Sequence, residues 1–135
     1  MKVVFRTVFV AVSVALYVPA IAQGLAGMEP KILEMTKGNW AYFRDFNGRQ
    51  LIYFTHLESY RCGIERVSYS LESDALDREW KLQPCHPDRP NESTTDTLYI
   101  GFPPGTAGSI ALQLTFKDGS KSAVVRINTR NKLVR

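Results

Sequence analysis

The dipeptide Asn47-Gly48 restricts the fold most, because it separates two segments of alternating character, residues 40–46 and 49–57. An Asn-Gly pair supplies the two residues with positive φ that a two-residue type I′ turn requires. Such a turn also determines which residues of the two strands face each other. The predicted pairs, from the open end to the turn, are Trp40 with Thr55, Ala41 with Phe54, Tyr42 with Tyr53, Phe43 with Ile52, and Arg44 with Leu51. The sequence therefore predicts an antiparallel hairpin here.

A second hairpin is predicted around Asp118-Gly119, which separates residues 110–117 from residues 120–127. A two-residue loop at this position gives one apolar face and one largely polar face, as expected for a sheet covered on one side. The predicted apolar pairs are Ile110 with Ile127, Leu112 with Val125, and Leu114 with Ala123. On the polar face the predicted pairs are Ala111 with Arg126, Gln113 with Val124, and Thr115 with Ser122.

The two cysteines, Cys62 and Cys85, predict a third hairpin. If they form a disulfide, Val67 faces Trp80, and residues 64–71 pair with residues 78–83. Closing a loop of this length stabilises a fold by about 3 kcal/mol in the chain-entropy model. The alternative is a zinc site that adds His56 and His86. No C-x-x-C or H-x-x-x-H spacing supports that site, so we expect a disulfide and no metal.

Together with residues 97–102, these segments give about seven short strands separated by turn residues. That pattern predicts an all-β fold, a small antiparallel β-sandwich of immunoglobulin-like or barrel-like type with one disulfide. A chain of 135 residues that is 44% hydrophobic and 22% charged fits one such domain. We assign residues 39–128 to it, residues 23–38 to an N-terminal extension with a short helix that begins at Pro30, and residues 129–135 to a basic C-terminal tail.

Residues 1–22 have the layout of a secretory signal peptide. Lys2 and Arg6 precede an apolar stretch over residues 8–18, and Pro19 and small residues follow. The stretch is shorter than the ~20 residues that span a bilayer. Cleavage before Gln23 would lower Lys+Arg from 17 to 15 against 13 Asp+Glu, so the net charge falls from +4 to about +2. We expect a secreted or periplasmic protein with no transmembrane segment in its mature chain and no nucleic-acid partner.

One face of the first hairpin is the candidate binding face. It combines aromatic rings with arginines, the residue types that anchor protein interfaces. Its members are Trp40, Tyr42, Arg44, Arg49 and Tyr53. Phe46 and Leu51 share this face. The alternative is that the face packs against an opposing sheet as part of the core.

The sequence favours a non-enzymatic interaction module that binds a protein partner or a second copy of itself, without a cofactor. One alternative is a carbohydrate-binding module that uses the aromatic face. Another is a small secreted hydrolase with His56 or His86 as its base. His56 is expected at the end of the second strand, next to Asn39, and the scattered carboxylates, Glu58 among them, are expected at the surface. Asn91 begins a formal glycosylation sequon.

Overall fold

The computed structural model describes residues 27–90, 92–93 and 95–135. The predicted signal peptide (residues 1–22) and Asn91 lie outside the described residues. Two α-helices are described, α1 (Glu29–Met35) and α2 (Thr55–Ser59), and 3-10 turns span Lys37–Asn39 and Arg61–Gly63. The strands of the described chain are β1 (Tyr42–Phe46), β2 (Arg49–Tyr53), β3 (Ile64–Leu71), β4 (Arg78–Trp80), β5 (Tyr99–Phe102), β6 (Ser109–Phe116), β7 (Val125–Asn128) and β8 (Leu133–Val134).

The strands form two antiparallel sheets. The three-stranded sheet has the order β1-β2-β5, and the five-stranded sheet has the order β4-β3-β6-β7-β8. One hydrophobic core contains side chains from both sheets, such as Phe43 and Ile52 from the first and Val67 and Leu112 from the second. The prediction of a β-rich fold with antiparallel sheets is confirmed, with eight strands in the described residues instead of seven.

The first hairpin has the predicted register from Tyr42 opposite Tyr53 down to the turn. Asn47 and Gly48 have φ angles of 52° and 71°, as a type I′ turn requires. The second strand, however, ends at Tyr53 and is followed by α2. Phe54 and Leu57 are both fully buried. These two residues are three positions apart, so a strand would point them to opposite faces. A helical turn instead brings them to the same side.

The second hairpin is confirmed at its open end and wrong near its turn. Ile110 faces Ile127 and Leu112 faces Val125 as predicted. Thr115, however, pairs with Lys121 instead of Ser122. Leu114 exchanges hydrogen bonds with Ser122 instead of facing Ala123. The cause is a longer loop in which Gly119 takes the left-handed conformation. The one-residue offset is absorbed between Ser122 and β7.

The third hairpin and its disulfide are confirmed. Val67 faces Trp80, and Cys62 is bonded to Cys85 with their Cα atoms 4.9 Å apart. β4 ends at Trp80, although a strand to residue 83 is predicted. Beyond that point the backbone N–H of Gln83 donates to the carboxylate of Glu58, so a side chain replaces the neighbouring strand as its hydrogen-bond acceptor.

The sheet continues past residue 128, where a basic tail is predicted. β8 pairs with β7, and the intervening turn places Asn131 against the edge of β1. Its side-chain amide accepts a hydrogen bond from Phe43 N–H (2.7 Å) and donates one to the Phe43 carbonyl (3.2 Å). The turn between β7 and β8 therefore joins the two sheets.

Candidate functional site

The outer face of the three-stranded sheet carries most of the predicted binding residues. Phe43 and Ile52 point into the core, so their neighbours along β1 and β2 point away from it. On β1 and β2, the residues that reach solvent on this side, here called the outer face, are Tyr42, Arg44, Phe46, Arg49 and Tyr53. Tyr42 and Phe46 are 55% and 53% exposed. The described residues therefore leave two large rings uncovered on the face that also carries both arginines.

Trp40 does not belong to this face, although the alternating pattern predicts that it does. The chain enters β1 from a 3-10 turn, and the indole of Trp40 is fully buried. Its Nε1–H donates to the carbonyl of Leu33 (2.9 Å), which fixes α1 on the core. Leu51 shares the strand position of the face but is only 5% exposed. Trp40 and Leu51 of the predicted face are therefore buried, and its other members reach solvent.

The two arginines of the outer face form no ion pair with a carboxylate in the described part of the chain. The Arg44 Cζ atom lies 4.4 Å from the centroid of the Phe46 ring, a distance at which a cation and an aromatic ring attract. Arg49 lies over the backbone of β5. A Cβ atom on Gly101 would come within 2.8 Å of Arg49 Nη2. Both guanidinium groups are therefore held by contacts that leave their charge uncompensated.

A groove of about 460 Å³ opens beside Tyr42, Arg44 and Tyr53. Polar side chains from α2 and from the turn before β1 complete its wall. Its lining residues are Asn39, Tyr42, Arg44, Tyr53, Thr55, His56 and Ser59. No carboxylate is among them. The groove contains three of the five predicted binding residues together with His56, the base of the alternative hydrolase hypothesis.

α2 places its residues on two sides. Thr55, His56 and Ser59 line the groove, while Leu57 and Glu58 are buried. His56 was expected at the end of a strand, and this prediction is wrong because β2 has already ended. Asn39 does lie near His56 in the groove, although the two residues are not a cross-strand pair.

The imidazole of His56 is oriented by a threonine. His56 Nε2 lies 2.8 Å from Thr36 Oγ1, and that hydroxyl donates its only proton to the carbonyl of Ile32. The His56 tautomer that fits this assignment of the Thr36 proton has its hydrogen on Nε2 and Nδ1 as an acceptor. Burial lowers the pKa of His56. Among the described residues that line the groove, Arg44 is therefore the cation at neutral pH, and His56 has a neutral imidazole.

A second polar group of side chains, the Arg61 cluster, lies inside the protein beside the disulfide. It consists of Glu58, Arg61 and Trp80 with the carbonyls of Pro84 and Glu92. Arg61 is 2% exposed, and its guanidinium donates to the carbonyls of Glu58 (2.9 Å), Pro84 (2.9 Å) and Glu92. Trp80 Nε1–H donates to the Glu58 carboxylate (2.8 Å). Glu58 is therefore buried, which corrects its expected position at the surface.

The other predicted site features lie apart from the groove. His86 follows the disulfide in the proline-rich loop and is not a lining residue of the groove. Both cysteines are in the disulfide, and the described residues contain no group of three or more His, Cys, Asp or Glu arranged to hold a metal ion. Within that same part of the chain, no helix is long and apolar enough to span a membrane.

Comparisons with known proteins found no matching family model, no matching curated protein and no matching solved structure. The structure itself defines a disulfide-bonded β protein with two antiparallel sheets and a groove that is lined in part by one arginine and two tyrosines. Sequence reasoning missed Thr36, Thr55 and Ser59 at this site. A helical reading of residues 55–59 would have placed Thr55 and Ser59 on one side with spacing i, i+4.

Proposed function

We propose that the chain is an exported, non-enzymatic binding module whose ligand contacts the outer face and the groove. The observation that supports this proposal is a pair of arginines that have no carboxylate partner among the described residues and that lie beside exposed aromatic rings. Arginine, tyrosine and tryptophan dominate the residues that contribute most to binding at interfaces. A protein partner or a second copy of the chain is the occupant that composition alone favours.

Export rests on the signal-peptide pattern of residues 1–22 and is supported by the disulfide. Disulfides persist in oxidising compartments and are rare in the cytosol. The expected location is the periplasm or the extracellular space, and the expected mature N-terminus is Gln23. Mass spectrometry of the exported protein checks this, and an intact Met1 on that protein would contradict it.

A sandwich arrangement of the two sheets is part of the proposal. It is supported by the core, which draws on the alternating inward residues of both sheets. Methyl–methyl nuclear Overhauser contacts between Ile52 and Leu112 test it. Their absence would argue against a face-to-face arrangement.

The binding proposal is tested by capture on three immobilised proteins: the exported chain, a variant with Arg44→Glu and Tyr53→Ser, and Lys121→Glu. Lys121 is an exposed cation between β6 and β7, so its replacement matches the charge change away from the groove. Extracts of the native envelope or secreted fraction supply the ligands. A ligand retained by the first and third proteins but lost from the second supports the proposal. Equal capture by all three, or no capture, contradicts it.

A small hydrolase is the second candidate, because His56 lines the groove with Nδ1 available as an acceptor. Its difficulty is that no carboxylate lines the groove to act as an acid or to orient the imidazole, a role that Thr36 takes instead. Turnover of a hydrolysable substrate that disappears in a folded His56→Ala variant would favour this candidate over the binding module.

A further inference from the structure

We propose that the groove binds a carboxylated sugar of an acidic polysaccharide, an inference that rests on the proposed binding function and names its ligand class. The argument has three parts: the charge of the site, the polar groups in its wall and its size.

The positive charge of the site favours an anionic ligand. Arg44 lines the groove and Arg49 lies on the same outer face, and neither guanidinium pairs with a carboxylate of the described chain. In the hairpin register, Arg44 is opposite Leu51 and Phe46 is opposite Arg49. The two arginines are thus diagonal neighbours, a spacing of about 7–8 Å. An uncompensated arginine that is held by an aromatic ring can form a bidentate bond with a carboxylate with little loss of side-chain freedom.

The polar groups in the wall of the groove favour a ligand with many hydroxyl groups. Asn39 and Thr55 contribute a short amide and a hydroxyl group to its lining. The Ser59 hydroxyl donates its proton to the Thr55 carbonyl (3.1 Å), so it can only accept a hydrogen bond from a ligand. In the tautomer with its hydrogen on Nε2, His56 adds Nδ1 as an acceptor. Tyr42 and Tyr53 add aromatic surface to the same lining. A sugar ring offers hydroxyls to the polar groups and an apolar face to the rings.

The size of the groove fits a small ligand or one unit of a longer chain. A volume of about 460 Å³ lies within the range of small-ligand sites, roughly 300–1,000 Å³. Stable protein partners instead cover about 800 Å² of surface on each side. An acidic peptide would also satisfy Arg44 with its carboxylate, but it offers fewer hydroxyl groups to Asn39 and Thr55 than a sugar ring does. The wall therefore favours a carboxylated sugar.

Calorimetric titration of the exported chain tests the proposal with defined probes. Tetramers of galacturonate, glucuronate and mannuronate are the ligands, and fully methyl-esterified tetragalacturonate is the matched neutral control. Hexaglutamate is the acidic-peptide control. We expect at least one uronate to bind, its affinity to fall with added salt because the site is exposed, and the ester to bind at least tenfold more weakly.

Variants locate the binding. Arg44→Gln is expected to weaken uronate binding about tenfold, which is about 1.4 kcal/mol, and Arg49→Gln by a smaller factor because Arg49 lies outside the groove. Tyr42→Ala is expected to weaken it more than Tyr42→Phe, which keeps the ring. Lys121→Gln removes a charge elsewhere and should leave the affinity unchanged. A shift of the His56 ring signals on titration would place the sugar in the groove.

Three results would overturn the inference. If no uronate binds, the ligand class is wrong. If hexaglutamate binds as tightly as the uronates, the site recognises charge alone and the sugar assignment is wrong. If the uronates bind equally to all variants, they bind elsewhere. In each case the binding function itself is judged separately by the capture experiment, where a ligand lost with Arg44→Glu and Tyr53→Ser would still support it.

Discussion

The arginines of the outer face and the buried Arg61 place the same chemical group in opposite surroundings. Arg61 is 2% exposed, and three backbone carbonyls accept its hydrogen bonds. Arg44 and Arg49 are exposed and are held by a ring and by a glycine backbone, without an anionic partner among the described residues. Arg61 therefore contributes to the folded state, whereas the arginines of the outer face can contribute to binding at little cost to stability.

α2 connects these two regions. Its groove side carries His56, and its buried side carries Glu58 of the Arg61 cluster. The Cys62–Cys85 disulfide lies beside the cluster and holds the chain segment whose carbonyls Arg61 binds. The interior region thus supports the wall of the groove without taking part in it. The following predictions test this division between a stabilising interior and a binding surface.

The largest effect on the free energy of unfolding is expected at Trp40, and almost none at Tyr42, although the sequence places both residues on one face. Trp40→Ala removes a fully buried indole and its hydrogen bond to Leu33, so the free energy of unfolding should fall by about 4 kcal/mol. Tyr42→Ala, at a ring that is 55% exposed, should change it by less than about 0.5 kcal/mol. Urea denaturation followed by fluorescence measures both. Similar losses would contradict the division.

Removal of the disulfide should have the next largest effect. Replacing both Cys62 and Cys85 by serine releases a loop with a sequence separation of 23 residues, which should lower the free energy of unfolding by about 3 kcal/mol. Because the disulfide lies with the Arg61 cluster, ligand affinity measured where the variant is folded should be nearly unchanged. A loss of affinity in the folded variant would instead show that the disulfide shapes the groove.

Arg61→Met is expected to lower the free energy of unfolding by roughly 2–3 kcal/mol, because it leaves three carbonyls without their charged donor. Arg44→Met is the matched control on the outer face and should stay within about 0.5 kcal/mol. Urea denaturation compares the two variants. The comparison of the two regions fails if Arg44→Met destabilises the protein as much as Arg61→Met does.

The smallest effect concerns pH. Burial lowers the pKa of His56 in the folded protein, so in the window between that pKa and the unfolded value of about 6.5 the unfolded chain binds more protons. The free energy of unfolding should therefore fall as the pH is lowered through this window, and the His56 contribution is fully present above pH 6.5. His56→Gln should remove this contribution, and His86→Gln should retain it. An unchanged pH profile in His56→Gln would contradict the assignment.

Turn chemistry explains why much of the fold could be predicted from the sequence. Asn47-Gly48 has the backbone preferences of one specific turn, and the first hairpin follows the register that this turn dictates. Asp118-Gly119 is compatible with two loop lengths, and the longer one occurs. The disulfide then aligned β3 with β4 as expected. These predictions rest on local backbone preferences. The one that failed concerns Asp118-Gly119, where two loop lengths are compatible with the sequence.

The candidate site was predicted only in part because it depends on contacts between distant residues. Tyr42, Arg44 and Tyr53 follow from the hairpin register alone. The buried state of Trp40 depends on α1, and that of Arg61 depends on carbonyls 23 and 31 residues away along the chain. The buried carboxylate of Glu58 depends on N–H donors of Trp80 and Gln83. Contacts of this kind leave no periodic pattern in the sequence, so they could not be predicted from it.

The contact between Asn131 and β1 has a consequence for self-assembly. β1 is an edge strand, and unpaired backbone groups on such an edge are a template for strands of other molecules. The Asn131 amide occupies both backbone groups of Phe43, and Asn131 itself has a φ of 59°, which asparagine tolerates better than most residues. At Phe43, therefore, the edge of β1 offers no free backbone group to the strand of a neighbouring molecule.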